Sequence, residues 1–128
     1  MTRDHVQRWL DAYLDAWRTY DRAAIGDLFA ADATYAFQPY REPLRGRQAI
    51  VESWLESPDA PGSWTASFEP HAVEDERAAA VGTVRYLEDG RQRTIYFNVW
   101  LLRFDADGRC VDFVEYWREP PEDLRTTM

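Results

Sequence analysis

Near the end of the chain, the stretch FVEYWREP runs from Phe113 to Pro120. Read as a strand, alternate residues share a face, so Phe113, Glu115 and Trp117 point one way. That places a carboxylate between two large aromatic rings. A carboxylate among rings loses hydration, which penalises its charged form and raises its pKa. Such a group serves as general acid or base near neutral pH. Two other readings stand beside this one: Glu115 is neutralised in an ion pair, with Arg85 the candidate partner, or it sits in water at the rim of a sheet.

Two further polar side chains sit in apolar patterns. Tyr13 lies on the apolar stripe of the first helix, where it either donates a hydrogen bond to a substrate oxygen or is an ordinary core tyrosine. Asn98 shares a strand face with Tyr96, Trp100 and Leu102. A buried amide needs partners, so it orients Glu115, contacts a ligand or bonds neighbouring backbone. Six Trp, seven Tyr and six Phe in 128 residues are many for this length. Trp17, Phe29, Phe37, Trp54, Tyr96, Trp100, Phe113 and Trp117, with Arg85, are the proposed walls of a pocket; each ring is equally at home in a core. Tyr40, Arg41 and Glu42 lie in a proline-bounded loop. His71 and Cys110 read as structural, and Asp105, Asp107 and Gly108 as a hairpin turn.

Composition excludes several classes. The net charge is −8 and all 15 basic residues are arginine, which argues against a nucleic-acid surface. No apolar run approaches a membrane span, and MTRDHVQRWL lacks a signal-peptide pattern. One cysteine excludes an internal disulfide, and two histidines with it make a zinc site a poor reading. Calcium-loop spacing is absent. The expectation is a cytoplasmic protein that needs no metal or cofactor.

The elements that must position these residues are legible in the periodicity. Val6, Trp9, Leu10, Tyr13, Leu14 and Trp17 recur at helical spacing, with Asp4 and Gln7 resembling a capping box. A second short helix starts at Asp21 and carries Ile25, Leu28 and Phe29. ATYAF reads as a strand, QPYREPLRG as neither helix nor regular strand, Arg47 to Glu56 as a third helix and SPDAPGS as a break. SWTASFEPHAV, ERAAAVGTVRYL, RQRTIYFNVWLLRF and RCVDFVEYWRE then read as four strands, the last three joined by turns at EDG and DADG. EPPEDLRTTM reads as a polar, frayed tail. Helices first and a meander afterwards means α+β. The strand from Arg91 to Phe104 is apolar on both faces, and three helices cover only one. A second copy of the chain is expected on the other, making a homodimer through the outer sheet face.

LFAADATYAF followed by EPLRGRQAI, and LLRFDADGRCVDFVEYWRE, resemble the nuclear transport factor 2-like superfamily, in its SnoaL-like and ketosteroid-isomerase-like branch. The resemblance covers nearly all of residues 4 to 119 and implies one SnoaL-like domain over 1–128, with a tail at 120–128. The implied fold is a cone: a strongly curved antiparallel sheet wrapped on three N-terminal helices, with a pocket at the open end. Residue by residue, the isomerases' base aspartate is matched by Phe37, with Gln38 next. Their second acid is matched by Trp100, and their tyrosine by Tyr13. The related epoxide hydrolases' last-strand aspartate is matched by Glu115, while Ala80 and Gly82 occupy their other two positions. No histidine falls where the SnoaL-like cyclases use one. The resemblance therefore implies a small apolar or aromatic ligand. It leaves open a cofactor-independent isomerase, cyclase, dehydratase or hydrolase, or a non-catalytic binding domain.

Overall fold

The computed structural model describes all 128 residues. The first helix, α1 (Arg3–Thr19), buries Val6, Trp9, Leu10, Tyr13 and Leu14 along one stripe. Its N-cap is Thr2, whose hydroxyl accepts from the backbone N–H of His5, and not the expected Asp4. Gln7 donates instead to Asp11 and to the Phe68 carbonyl. The helix ends at Tyr20 in the left-handed region (φ 51°). Asp21 caps α2 (Arg22–Asp27) through the N–H groups of Ala23 and Ala24, as expected of an acidic N-cap.

Phe29 does not continue that helix: it opens β1 (Phe29–Ala36), a longer strand than ATYAF alone. The proline-bounded loop contains a two-residue strand, β2 (Leu44–Arg45), and α3 spans Arg47–Glu56 as the periodicity requires. The remaining strands are β3 (Trp64–Glu74), β4 (Arg77–Glu88), β5 (Arg91–Phe104) and β6 (Cys110–Arg118). At the β4–β5 turn both Asp89 (φ 52°) and Gly90 (φ 75°) are left-handed, the geometry a tight hairpin favours.

The six strands form one sheet in the order β2-β1-β6-β5-β4-β3. The sheet is open and mixed: β1 pairs with β6 in parallel, and every other pairing is antiparallel. The parallel pairing is made across a long crossover, because β1 enters from α2 and the meander closes back onto it with its last strand, β6. This is the α+β cone, three helices against one sheet.

Two registers position the chemistry. Across β5 and β6, Trp100 faces Glu115, Asn98 faces Trp117 and Leu102 faces Phe113. Across β1 and β6, Tyr35 faces Phe113. Gly82 on β4 makes room inside the sheet: a Cβ there would lie 2.4 Å from the Phe68 ring and 2.3 Å from the Ser67 carbonyl oxygen. That space lets Phe68 stack on Trp100, ring centroids 3.8 Å apart.

The tail is not frayed. A 3-10 turn at Glu122–Leu124 folds back on the sheet, and Gln92 donates to the Arg125 carbonyl. Arg125 pairs with Glu119, which accepts from Thr94. Arg85 donates to the carbonyl of Met128, and its cross-strand partner Ile95 is 1% exposed. Beyond the tail the outer face of β5 and β6 stays apolar and open at Phe97, Val99, Leu101 and Tyr116.

Candidate functional site

The inner face of β4–β6, the end of α1, α3 and β1 together line an open cavity of about 530 Å³. Glu115 stands in its wall, as the alternation of β6 requires. Its Oε2 accepts from Trp100 Nε1 at 2.5 Å and from Asn98 Nδ2 at 3.0 Å. No protein donor reaches Oε1. Both donors come from the facing strand: Trp100 is the direct register partner and Asn98 lies diagonal to Glu115 on the same face. Burial raises the Glu115 pKa above the usual carboxylate value, and the Trp100 and Asn98 hydrogen bonds partly oppose the rise.

The ion-pair alternative fails. Arg85 lies on the opposite face of the sheet, bonded to Thr83 and to the carbonyl of Met128, and it does not line the cavity. The physical reason is strand parity: Arg85 faces Ile95 across the sheet, on the side away from Tyr96, Asn98 and Trp100.

Asn98 is 7% exposed and its Oδ1 has no partner in the protein. It orients Glu115 through Nδ2 and leaves an acceptor unpaired in the cavity wall.

Tyr13 reaches the cavity but not alone. Its hydroxyl lies 2.6 Å from the hydroxyl of Tyr35, a buried pair that sequence reasoning did not pick out. The signal was present, because Tyr35 precedes Phe37 by two residues on the same strand face. The Tyr35 ring lies parallel on Phe113 at 4.2 Å between centroids, and Tyr13 also stacks on Phe113 at 5.8 Å. Burial raises the pKa of both phenols, and the Glu115 charge adds to the rise in each. They therefore remain protonated at neutral pH and act as donors.

Among the proposed walls, Trp17, Phe37, Trp54, Tyr96, Trp100 and Trp117 line the cavity. Phe29 and Phe113 do not. Both are fully buried beneath it, Phe29 edge-on to Trp9, Tyr35 and Trp54, and Phe113 under the two tyrosines. Phe113 shares parity with Glu115 but sits one step deeper in the cone, where helix α1 fills the space. At the other end are residues that sequence reasoning missed: Tyr20, Asp59, Tyr86 and Arg93. Asp59 Oδ2 accepts from Trp17 Nε1 at 3.0 Å and the Asp59 N–H donates to the Tyr20 hydroxyl at 2.8 Å. These contacts join the SPDAPGS break to the end of α1, a juxtaposition that spacing alone does not encode. Burial also raises the Tyr86 pKa.

His71 lies exposed on β3, and neither it nor Arg41 or Glu42 lines the cavity; Tyr40 is exposed on its loop. Cys110 is buried where β6 begins, and burial pushes its thiol up to about 12, so it is inert.

With this geometry in view, four likenesses are informative. Residues 10–113 match the model of the SnoaL-like domain. A steroid Δ-isomerase of Nocardioides simplex is 32% identical over 116 residues, covering 90% of this chain and 89% of that protein. Among solved structures, an NTF-2 like protein of unknown function from Burkholderia xenovorans superposes with TM-score 0.70 at 19% identity, over 93% of this chain and 87% of that one. An epoxide hydrolase of M. tuberculosis, described as LEH-like, superposes with TM-score 0.63 at 15% identity, over 91% and 84% of the two chains. The match across most of the chain, on a three-helix cone with this open mixed sheet, places the protein in the SnoaL-like domain family.

Proposed function

We propose that this protein is a cofactor-independent acid–base enzyme acting on a small, largely apolar substrate that carries a carbonyl or related oxygen. The observation that supports this most is Glu115: a carboxyl group with a raised pKa, held by two donors through one oxygen and free at the other, in the wall of an aromatic cavity. In this reading Oε1 removes a proton from carbon next to the substrate carbonyl and returns it elsewhere. The Tyr13–Tyr35 pair holds two hydroxyl protons and uses one between them. The other is free to donate to the developing oxyanion.

The distant likeness to a steroid Δ-isomerase fits proton transfer. By the sequence resemblance, Phe37 and Trp100 fall where the isomerases have carboxylates, so the base in this reading is Glu115 on the last strand. Proton exchange tests the reading. Incubating an apolar ketone such as 2-tetralone in D2O should give exchange of its α-protons above the buffer rate. Glu115→Gln should remove that excess, a loss on the order of 10²-fold or more for a general base. Binding of the ketone with no exchange by the wild type would favour the alternative, a non-catalytic ligand-binding domain of the same fold.

Two expectations from the sequence belong to the same proposal. No helix is long and apolar enough to cross a membrane, and the setting proposed is cytoplasmic. The apolar row Phe97, Val99, Leu101 and Tyr116 is proposed as the face of a homodimer. Leu101→Glu should then halve the mass seen by light scattering; a wild-type monomer at micromolar concentration refutes it.

A further inference from the structure

We infer that Arg93 recognises an anionic group at the mouth of the cavity, so that the preferred substrate or ligand is an aromatic or apolar body bearing a carboxylate. This rests on reading the cavity as a small-molecule site, but not on Glu115 being a catalyst.

Strict alternation along β5 would put Arg93 on the outer face, opposite in parity to Tyr96, Asn98 and Trp100. The register breaks there: Tyr86 pairs with Thr94 while Leu87 pairs with Gln92, leaving Arg93 as the extra residue of a β-bulge. A bulge re-aims a side chain, and Arg93 lines the cavity with its guanidinium carbon 5.8 Å from the centroid of the Tyr86 ring. It is the one basic residue in that lining, and it makes no ion pair and no side-chain hydrogen bond in the protein. The acidic residue at the same end, Asp59, already accepts from Trp17 and Tyr20. The other, Glu115, is held by Trp100 and Asn98.

The cavity thus has polar groups at both ends and rings between them. Tyr13, Tyr35, Asn98 and Glu115 stand at one, and Arg93 at the other. A single guanidinium matches a carboxylate with two parallel hydrogen bonds; no second cation lines the cavity to balance a phosphate dianion. The chain's net charge of −8 repels anions in general, so any preference for an anionic ligand must come from a local group.

Calorimetric titration with 2-naphthoate and its neutral near-isostere 2-naphthamide separates the possibilities. The wild type should bind naphthoate tighter than naphthamide by on the order of tenfold at low salt, the size of one charge-assisted contact at a partly exposed site. Arg93→Gln should abolish that preference by weakening naphthoate far more than naphthamide. Arg93→Lys should keep part of it. Equal binding of both probes by the wild type, a preference that survives Arg93→Gln, or no binding of either probe would overturn the inference. Absence of ketone exchange by the wild type, with the preference present, would remove the catalytic reading alone.

Discussion

Glu115→Gln should make the protein more stable at pH 8 and leave it nearly unchanged at pH 4. Gln keeps the shape of Glu and an oxygen to accept from Trp100 and Asn98, so packing is preserved. The difference is the charge. Burial raises the pKa of Glu115 in the folded state, so between the unfolded and folded pKa values the native protein holds a proton that the unfolded chain has lost. Stability then falls as pH rises through that window, and above the folded pKa the ionised side chain carries the full penalty. Each unit of elevation costs about 1.4 kcal/mol, and in a domain of this size about 1 kcal/mol moves Tm by roughly 3–5 °C. The assay is thermal unfolding of both proteins from pH 4 to pH 9. The Tm difference should open with rising pH in favour of Gln and close towards pH 4. A difference independent of pH, or a variant less stable at pH 8, would mean that the two donors outweigh burial. Glu115 would then be a structural carboxylate whose pKa burial does not raise, and the acid–base reading would lose its support.

Trp100→Phe removes the shorter of the two hydrogen bonds to the carboxylate, so the Glu115 pKa should rise further, followed by carboxyl carbon NMR; a fall would refute the arrangement. Tyr13→Phe and Tyr35→Phe should each cost about 1–2 kcal/mol by leaving a buried hydroxyl alone, while the double variant costs less than the sum, read from urea unfolding of all four proteins. Gly82→Ala should cost about 1–3 kcal/mol or prevent folding, because its Cβ must displace the Phe68 ring from Trp100; near-ultraviolet circular dichroism would show the lost stacking, and an unchanged spectrum at full stability would refute it.

Local patterning determined most of the fold. Helical spacing located α1 and α3, turn residues located the hairpins, and period-two alternation put Glu115, Asn98, Tyr96, Trp100 and Trp117 on one face. These are short-range properties of φ/ψ and side-chain direction, which the sequence carries directly. The same rule misjudged Phe113, because parity says which side a residue faces and not how deep it lies in the cone, and helical spacing misjudged Phe29, which opens β1 and is buried beneath the cavity. It could not show that Arg85 bonds the returning tail, or that Tyr13 meets Tyr35 across 22 residues. It also failed at Arg93, where one extra residue in the strand reverses parity. The choice of neighbours among groups far apart in the chain belongs to tertiary packing. So does the charge state of Glu115, which depends on how much water the surrounding rings displace.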